Sequence, residues 1–170
     1  MTSSRPDTGS RLLIDLDAQH LELLDAAGQR MLEAPVSTGA NGPGERNGSG
    51  CTPRGRHLVR ACIGAGAPLG TVFVGRRPTG EVYDAELGRR FPGRDWILTR
   101  ILWLSGCEPG VNRLGAVDTM RRYIYIHGSP PGTRLGVPGS KGCVRMDNAT
   151  LVELFERVRP GLRVDLLSRS

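Results

Sequence analysis

Two short stretches hold the residue types that could do covalent chemistry: Ile126-His127-Gly128, and Ser140-Lys141-Gly142-Cys143-Val144-Arg145-Met146. A thiol attacks as its thiolate, so a nucleophilic cysteine wants an imidazole or a cation close by to lower its pKa. A glycine just ahead of it lets backbone N–H groups approach an oxyanion forming on the attacked carbonyl. His127, Lys141, Arg145 and Gly142 could supply these parts. Free cysteine is also a common small buried hydrophobe and a lone histidine is commonly structural, so residue types alone leave both readings open. The surroundings separate the four thiols. Cys143 stands among Gly, Lys and Arg, whereas Cys62, inside Arg60-Ala61-Cys62-Ile63, reads as core, Cys51 as an exposed loop residue and Cys107 as a turn residue.

These residues need elements to position them. Arg122-Tyr123-Ile124-Tyr125-Ile126-His127 reads as a strand, with β-branched and aromatic residues running up to His127-Gly128 and then to Pro130-Pro131-Gly132, which must end it. His127 therefore sits at a strand's end. Upstream, Leu12–Leu16, Leu21–Leu24 and Met31–Ser37 read as a β-meander, and residues 39–50, GANGPGERNGSG, as a mobile loop. Half-buried strands are expected in 56–63 and at Thr71–Gly75. Residues 95–105, DWILTRILWLS, form the most apolar run, a strand or a short helix by period, with strand the preferred reading. Asn148 can cap a helix over residues 148–159 whose Leu151, Val152, Leu154, Phe155 and Val158 share one face, before Pro160-Gly161 stops it. Residues 162–166 alternate as a final strand.

Composition bounds the whole. The chain has 170 residues, room for one domain with a full core, expected over residues 11–170 behind a flexible arm at 1–10. Its 24 Gly and 12 Pro carry no period, which excludes collagen and a helical bundle and favours short strands and loops. No apolar run is long enough for a membrane span, and none near the start resembles a secretory signal, so the expected location is the cytosol, with the periplasm the alternative if the true start lies upstream. The four cysteines lack C-x-x-C spacing and the three histidines are scattered; free thiols, no metal and no cofactor are expected. The net charge of +6 comes almost wholly from arginine, Lys141 being the sole lysine. With 5% aromatics and no clustered basic stripe, a nucleic-acid partner is not expected, and an anionic small substrate fits the charge at least as well.

Ile126-His127-Gly128 followed by Ser140-Lys141-Gly142-Cys143-Val144-Arg145-Met146 resembles the signature of the YkuD-type L,D-transpeptidase domain of peptidoglycan metabolism. Val36-Ser37-Thr38-Gly39 is similar to that family's strand into a Ser-Thr-Gly turn, and Thr52-Pro53-Arg54-Gly55 to its Thr-Pro-x-Gly element; together the motifs span roughly residues 11–167. The resemblance implies a mainly β fold, a YkuD-like β-sandwich with one late α-helix and long loops. It implies that Cys143 attacks the carbonyl between a diamino acid, typically meso-diaminopimelate, and the following D-Ala, releasing D-Ala and leaving a thioester. His127 would be general base and then acid, oriented by a carbonyl near Gly128, with the N–H groups of Gly142 and Cys143 as the oxyanion hole. Arg145 would hold a substrate carboxylate or organise the loop; pairing with Asp147 or Glu153 is the alternative. Ser140 could bond within the loop or contact substrate, and Lys141 replaces a histidine common among relatives. The expected partner is a peptidoglycan stem peptide or muropeptide. Water as acceptor would make an L,D-carboxypeptidase, a second stem's amine a transpeptidase; the chain resembles a compact, signal-less branch that trims recycled muropeptides. The stretch 75–117 reads as an insertion of that branch, with Arg76, Arg77, Arg100, Trp96 and Trp103 as substrate contacts or packed and solvated side chains. The family resemblance also implies inhibition by carbapenems.

Overall fold

The structure, a computed structural model, describes residues 9–169. Apart from Gly9 and Ser10, the expected flexible arm at 1–10 lies outside the described residues. Strands β1 (Arg11–Asp15), β2 (His20–Leu24) and β3 (Arg30–Pro35) form the expected antiparallel meander. Alternation sends Leu12, Ile14, Leu21, Leu23, Leu32 and Ala34 inward. The turns are closed by carboxylates: Asp15 accepts from the N–H groups of Asp17 and Ala18, and Asp25 from those of Ala27 and Gln29.

The remaining strands are β4 (Gly55–Ile63), β5 (Thr71–Val74), β6 (Arg77–Val82), β7 (Ile97–Gly106), β8 (Tyr125–Gly128), β9 (Val144–Met146) and β10 (Arg163–Leu167). They form one curled sheet in the order β3-β2-β1-β10-β4-β7-β5-β6, with β8 branching from β7 and β9 from β8. β10 lies parallel to β1 and antiparallel to β4, so the end of the chain joins its beginning to its middle. Inside the curl, Leu12, Val59, Leu102, Ile126, Val144, Met146 and Val164 share one core with Leu151 and Leu154 of helix α2 (Asn148–Arg157). The architecture is the mainly β one expected.

Four local expectations change. The strand carrying His127 starts at Tyr125 rather than Arg122, because Asp118 accepts from the N–H groups of Leu114 and Arg121 and turns residues 118–123 into a knot of tight turns. Asp147, not Asn148, caps the late helix, its carboxylate accepting from Thr150 N–H; Asn148 is the first helical residue and bonds Thr99 and Ser129 instead. A second helix, α1 (Ala85–Arg90), is capped by Asp84; its six residues bury no side chain, and so short a segment shows no readable period. Residues 75–117 are not an insertion as a whole, since β7 within them is a central strand that pairs with β4, β5 and β8. Its hydrophobic run is apolar because both of its faces are covered.

Candidate active site

Period-two alternation builds the site. Ile126, Val144 and Met146 point into the core, so Tyr125, His127, Cys143 and Arg145 point to the opposite face of the β8–β9 pair. In that parallel pair His127 is in register with Arg145. A second apolar cluster, Phe73, Ile101 and Tyr125 with Trp103 and Ile97 against it, floors that face and touches Cys143. Above it opens a cleft of about 510 Å³ lined by Cys143, His127, Arg145, Ser140, Lys141, Tyr125, Arg122, Arg76 and Asp95 among others.

The two upstream motifs hold the loop that carries Cys143. Ser37 and Arg145 exchange backbone bonds at 2.9 Å in both directions, while the N–H groups of Gly139 and Ser140 both donate to Thr38 O. Thr52, fully buried, accepts from Gly39 N–H at 2.8 Å and donates to Gly142 O at 2.8 Å. In a trans peptide the C=O and the next N–H point opposite ways, so fixing Gly142 O aims Cys143 N–H away from Thr52. Gly142 itself has φ +126, and a Cβ there would meet Cys51 O at 3.1 Å, so the turn before the nucleophile needs glycine. Its N–H donates to Ser140 Oγ at 3.1 Å, while that hydroxyl donates to Cys143 O. Ser140 thus knits the loop, and one of the two expected oxyanion donors already has an acceptor in this state.

Half-buried Cys143 donates its S–H to Tyr123 O at 3.3 Å and accepts Tyr125 N–H at 3.3 Å. Tyr123 reaches it by adopting φ +56, a costly conformation for an aromatic residue. Burial pushes the Cys143 thiol up to about 11, against the opposing pull of Tyr125 N–H; Asp95 raises it further, and Arg145 and Arg122 lower it. At rest Cys143 is therefore a thiol bonded to a backbone carbonyl. His127, fully buried, lies within 2.7 Å of Gly128 O through Nδ1; a carbonyl only accepts, so Nδ1 carries the proton and Nε2 is free to act as a base. Burial pulls its pKa below the usual value, and Gly128 O and Asp95 oppose that, so the ring is neutral at pH 7. Gly128 is there for close approach: a Cβ would strike Asn148 and Leu98 O.

Arg145 takes neither alternative partner. Its Nη2 meets Asp95 at 3.3 Å and its Nη1 donates to Gly139 O at 3.1 Å. Lys141 is exposed at the cleft wall. Of the five candidates between 75 and 117, only Arg76 lines the cleft, with Nη1 donating to Tyr125 Oη at 3.0 Å and the guanidinium 4.7 Å from the Trp103 ring centre. Trp96 packs edge-on against Tyr83, Arg77 is exposed on β6, and Arg100 is buried elsewhere. Missed by the sequence reading were Asp95, Arg122 and Thr52. Arg122, half-buried, donates to Cys51 O at 2.6 Å and ties the 39–52 loop to the cleft. Thr52 lay inside a recognised motif, and Tyr125 two residues before His127 was available from alternation; nothing local marks Asp95. The fold also gathers His20, Glu22 and Glu33 on the outer strands, ligand atoms within 4.8 Å, where scattered histidines suggested no cluster; Arg30 already pairs both glutamates.

A buried imidazole and a thiol line one cationic cleft on this curled sheet, an arrangement of residue types that could carry acyl transfer through sulfur. Residues 9–166 match YkuD, the L,D-transpeptidase catalytic domain, and the chain belongs to that family. Its fold is that of an L,D-transpeptidase from Xylanimonas cellulosilytica (TM-score 0.58, 22% identity, 96% of this chain and 62% of that one) and of one from Mycobacterium smegmatis (0.56, 16%, 94% and 59%). L,D-transpeptidase 3 from Mycobacterium tuberculosis, in complex with a faropenem-derived adduct, is similar at TM-score 0.56 and 13% identity over 94% of this chain and 60% of that one. The chain thus spans about six-tenths of the length of these solved structures. No curated protein matches it.

Proposed function

We propose that the protein cleaves the L,D bond between a diamino acid and the terminal D-Ala of peptidoglycan tetrapeptide stems through a Cys143 thioester, with water as the acceptor. The observation that carries the chemistry is the placement of Cys143 and His127 on one face, with Nε2 free and Nδ1 held by Gly128 O. His127 takes the Sγ proton once substrate displaces the thiol from Tyr123 O. Sulfur then bonds to the scissile carbonyl carbon, and its oxygen becomes an oxyanion facing Cys143 N–H, the amide aimed by Thr52. The imidazolium returns its proton to the leaving amine as the C–N bond breaks. Water then adds to the thioester with His127 as base, and the thiol departs reprotonated. Arg145, Arg122, Lys141 and Arg76 supply cations for the carboxylates of an acidic stem.

The choice of water follows from the resemblance to a compact branch that trims recycled muropeptides, and the cleft of about 510 Å³ has room for the end of a peptide stem. A cytosolic enzyme that trims recycled muropeptides is the setting this reading implies. The test incubates protein and Cys143→Ala with disaccharide-tetrapeptide, with and without a D-amino acid, and reads products by mass. Loss of one D-Ala by the parent protein alone is expected. A dimer or D-amino acid adduct would replace water by an amine acceptor, and a product formed equally by Cys143→Ala would overturn the nucleophile.

A further inference from the structure

A second cleft, of about 350 Å³, lies on the α2 side of β7, lined by Arg100, Arg159, Phe155, Val158 and Cys62 among others. Nothing in the chemistry above uses it. At its wall β7 bulges: Leu98 is in register with Gly128 but Ile101 with His127, so Thr99 and Arg100 are extra, and Thr99 takes φ +77, unusual for a β-branched residue. The bulge turns Arg100 toward α2, where its guanidinium sits 5.4 Å from the centre of the Phe155 ring.

Arg100 is 7% exposed, and among the described residues no carboxylate pairs with it. Nη1 is committed to Thr99 O at 2.6 Å and Ala67 O at 2.8 Å. Nε is sealed from solvent and has no acceptor. Nη2 also lacks one among the described residues and is not sealed, so it opens to the cleft. The vacant edge is therefore Nε–Nη2, the pair of parallel N–H groups that a planar carboxylate accepts in bidentate fashion. A buried cation without a counter-ion is a standing electrostatic deficit, only partly relieved by two carbonyls and a ring face. Arg159 adds a second positive charge at the rim, and Val152, Phe155, Val158 and Pro160 offer an apolar wall.

We infer that this cleft is an anion-binding site for an organic carboxylate carrying a short apolar body. The carboxylate accepts from Nη2 and, as the half-buried Phe155 ring yields, from Nε. Glu156 at the same cleft favours such a monoanion over a doubly charged phosphate.

The test titrates ¹⁵N-labelled protein at constant ionic strength with sodium butyrate and, separately, inorganic phosphate. Butyrate is expected to shift the Arg100 Nε–H signal and the amides of Phe155 and Arg159 saturably, with weaker effects from phosphate. Arg100→Gln should weaken butyrate binding at least about tenfold, the loss of a charge-assisted pair. Should that variant fail to fold, exposed Arg159→Gln should weaken it about threefold. Shifts confined to the Cys143 cleft, no saturation with either anion, or tighter binding of phosphate would overturn the assignment. Because the readout is binding at Arg100, it is independent of any activity of Cys143.

Discussion

Raising pH should activate the Cys143 thiol toward a simple alkylating agent along a line of unit slope well past the point where ordinary cysteines saturate. An unperturbed thiol titrates near 8.5, and burial pushes Cys143 to about 11. At pH 8 about one Cys143 in a thousand is thiolate, against roughly a quarter of a free cysteine, a deficit of about two hundredfold. A more basic thiolate is intrinsically more nucleophilic, by about half a log unit per pKa unit, which returns about tenfold. The net expectation is alkylation about twentyfold slower than a small-molecule thiol at pH 8, rising tenfold per pH unit to about pH 10. The assay is iodoacetamide labelling of Cys143, followed site by site by peptide mass against a glutathione reference. A plateau below pH 8 would mean that thiolate and imidazolium already form an ion pair in the resting site, and the picture of a thiol held on Tyr123 O would be wrong.

Asp95→Asn removes the charge that raises Cys143, so alkylation at pH 8 should become a few-fold faster, while His127, which Asp95 also raises, drops further; unchanged rates would remove Asp95 from the site's electrostatics. Thr52→Val deletes both the donor to Gly142 O and the acceptor of Gly39 N–H, with an expected cost of about 1–3 kcal/mol in urea unfolding and a fall in D-Ala release in the mass assay of roughly a hundredfold, both rescued by Thr52→Ser. Equal D-Ala release by Thr52→Val and the parent would mean that the Gly142–Cys143 peptide needs no such anchor. Burial holds His57 and His127 below their usual pKa, so below about pH 6.5 the unfolded chain takes up protons that the native one refuses. Stability in urea should fall as pH drops from 6.5 and stay flat from 6.5 to 8; above about 8.5 the raised Cys143 makes the unfolded chain the stronger acid, and stability should fall again. Cys51→Ala, Cys62→Ala and Cys107→Ala should retain product formation that Cys143→Ala and His127→Ala lose, measured by the same mass assay.

Much of the frame was legible because strands with one buried face write their alternation into the chain. Leu12 and Ile14, Leu21 and Leu23, and Val164 and Leu166 fall two apart in segments that read as strands, and all six are inward. The β-branched and aromatic run ended by Pro130-Pro131-Gly132 placed His127 at the end of its strand. What failed was local and polar. Asp118 spends its carboxylate on two N–H groups and delays β8, and Asp147 outcompetes Asn148 as a cap because Asn148 is drawn to Ser129 and Thr99, partners far away in sequence. The run at 97–106 was ambiguous by period because β7 is covered on both faces, which only its neighbours decide.

The sequence by itself determined the residue types of the site, most of its strands and the family to which the chain belongs, since strand composition, turn chemistry and the His127 and Cys143 motifs are properties of short segments. Only the tertiary structure decided the electrostatics. Asp95 meets Arg145 from fifty residues away, Thr52 reaches Gly142 across the nucleophile loop, and Arg100 is turned from the substrate cleft into another by a bulge opposite Gly128. A pKa, a vacant guanidinium edge and an aimed peptide depend on distances of a few ångströms between segments, and such distances exist only once the sheet has closed.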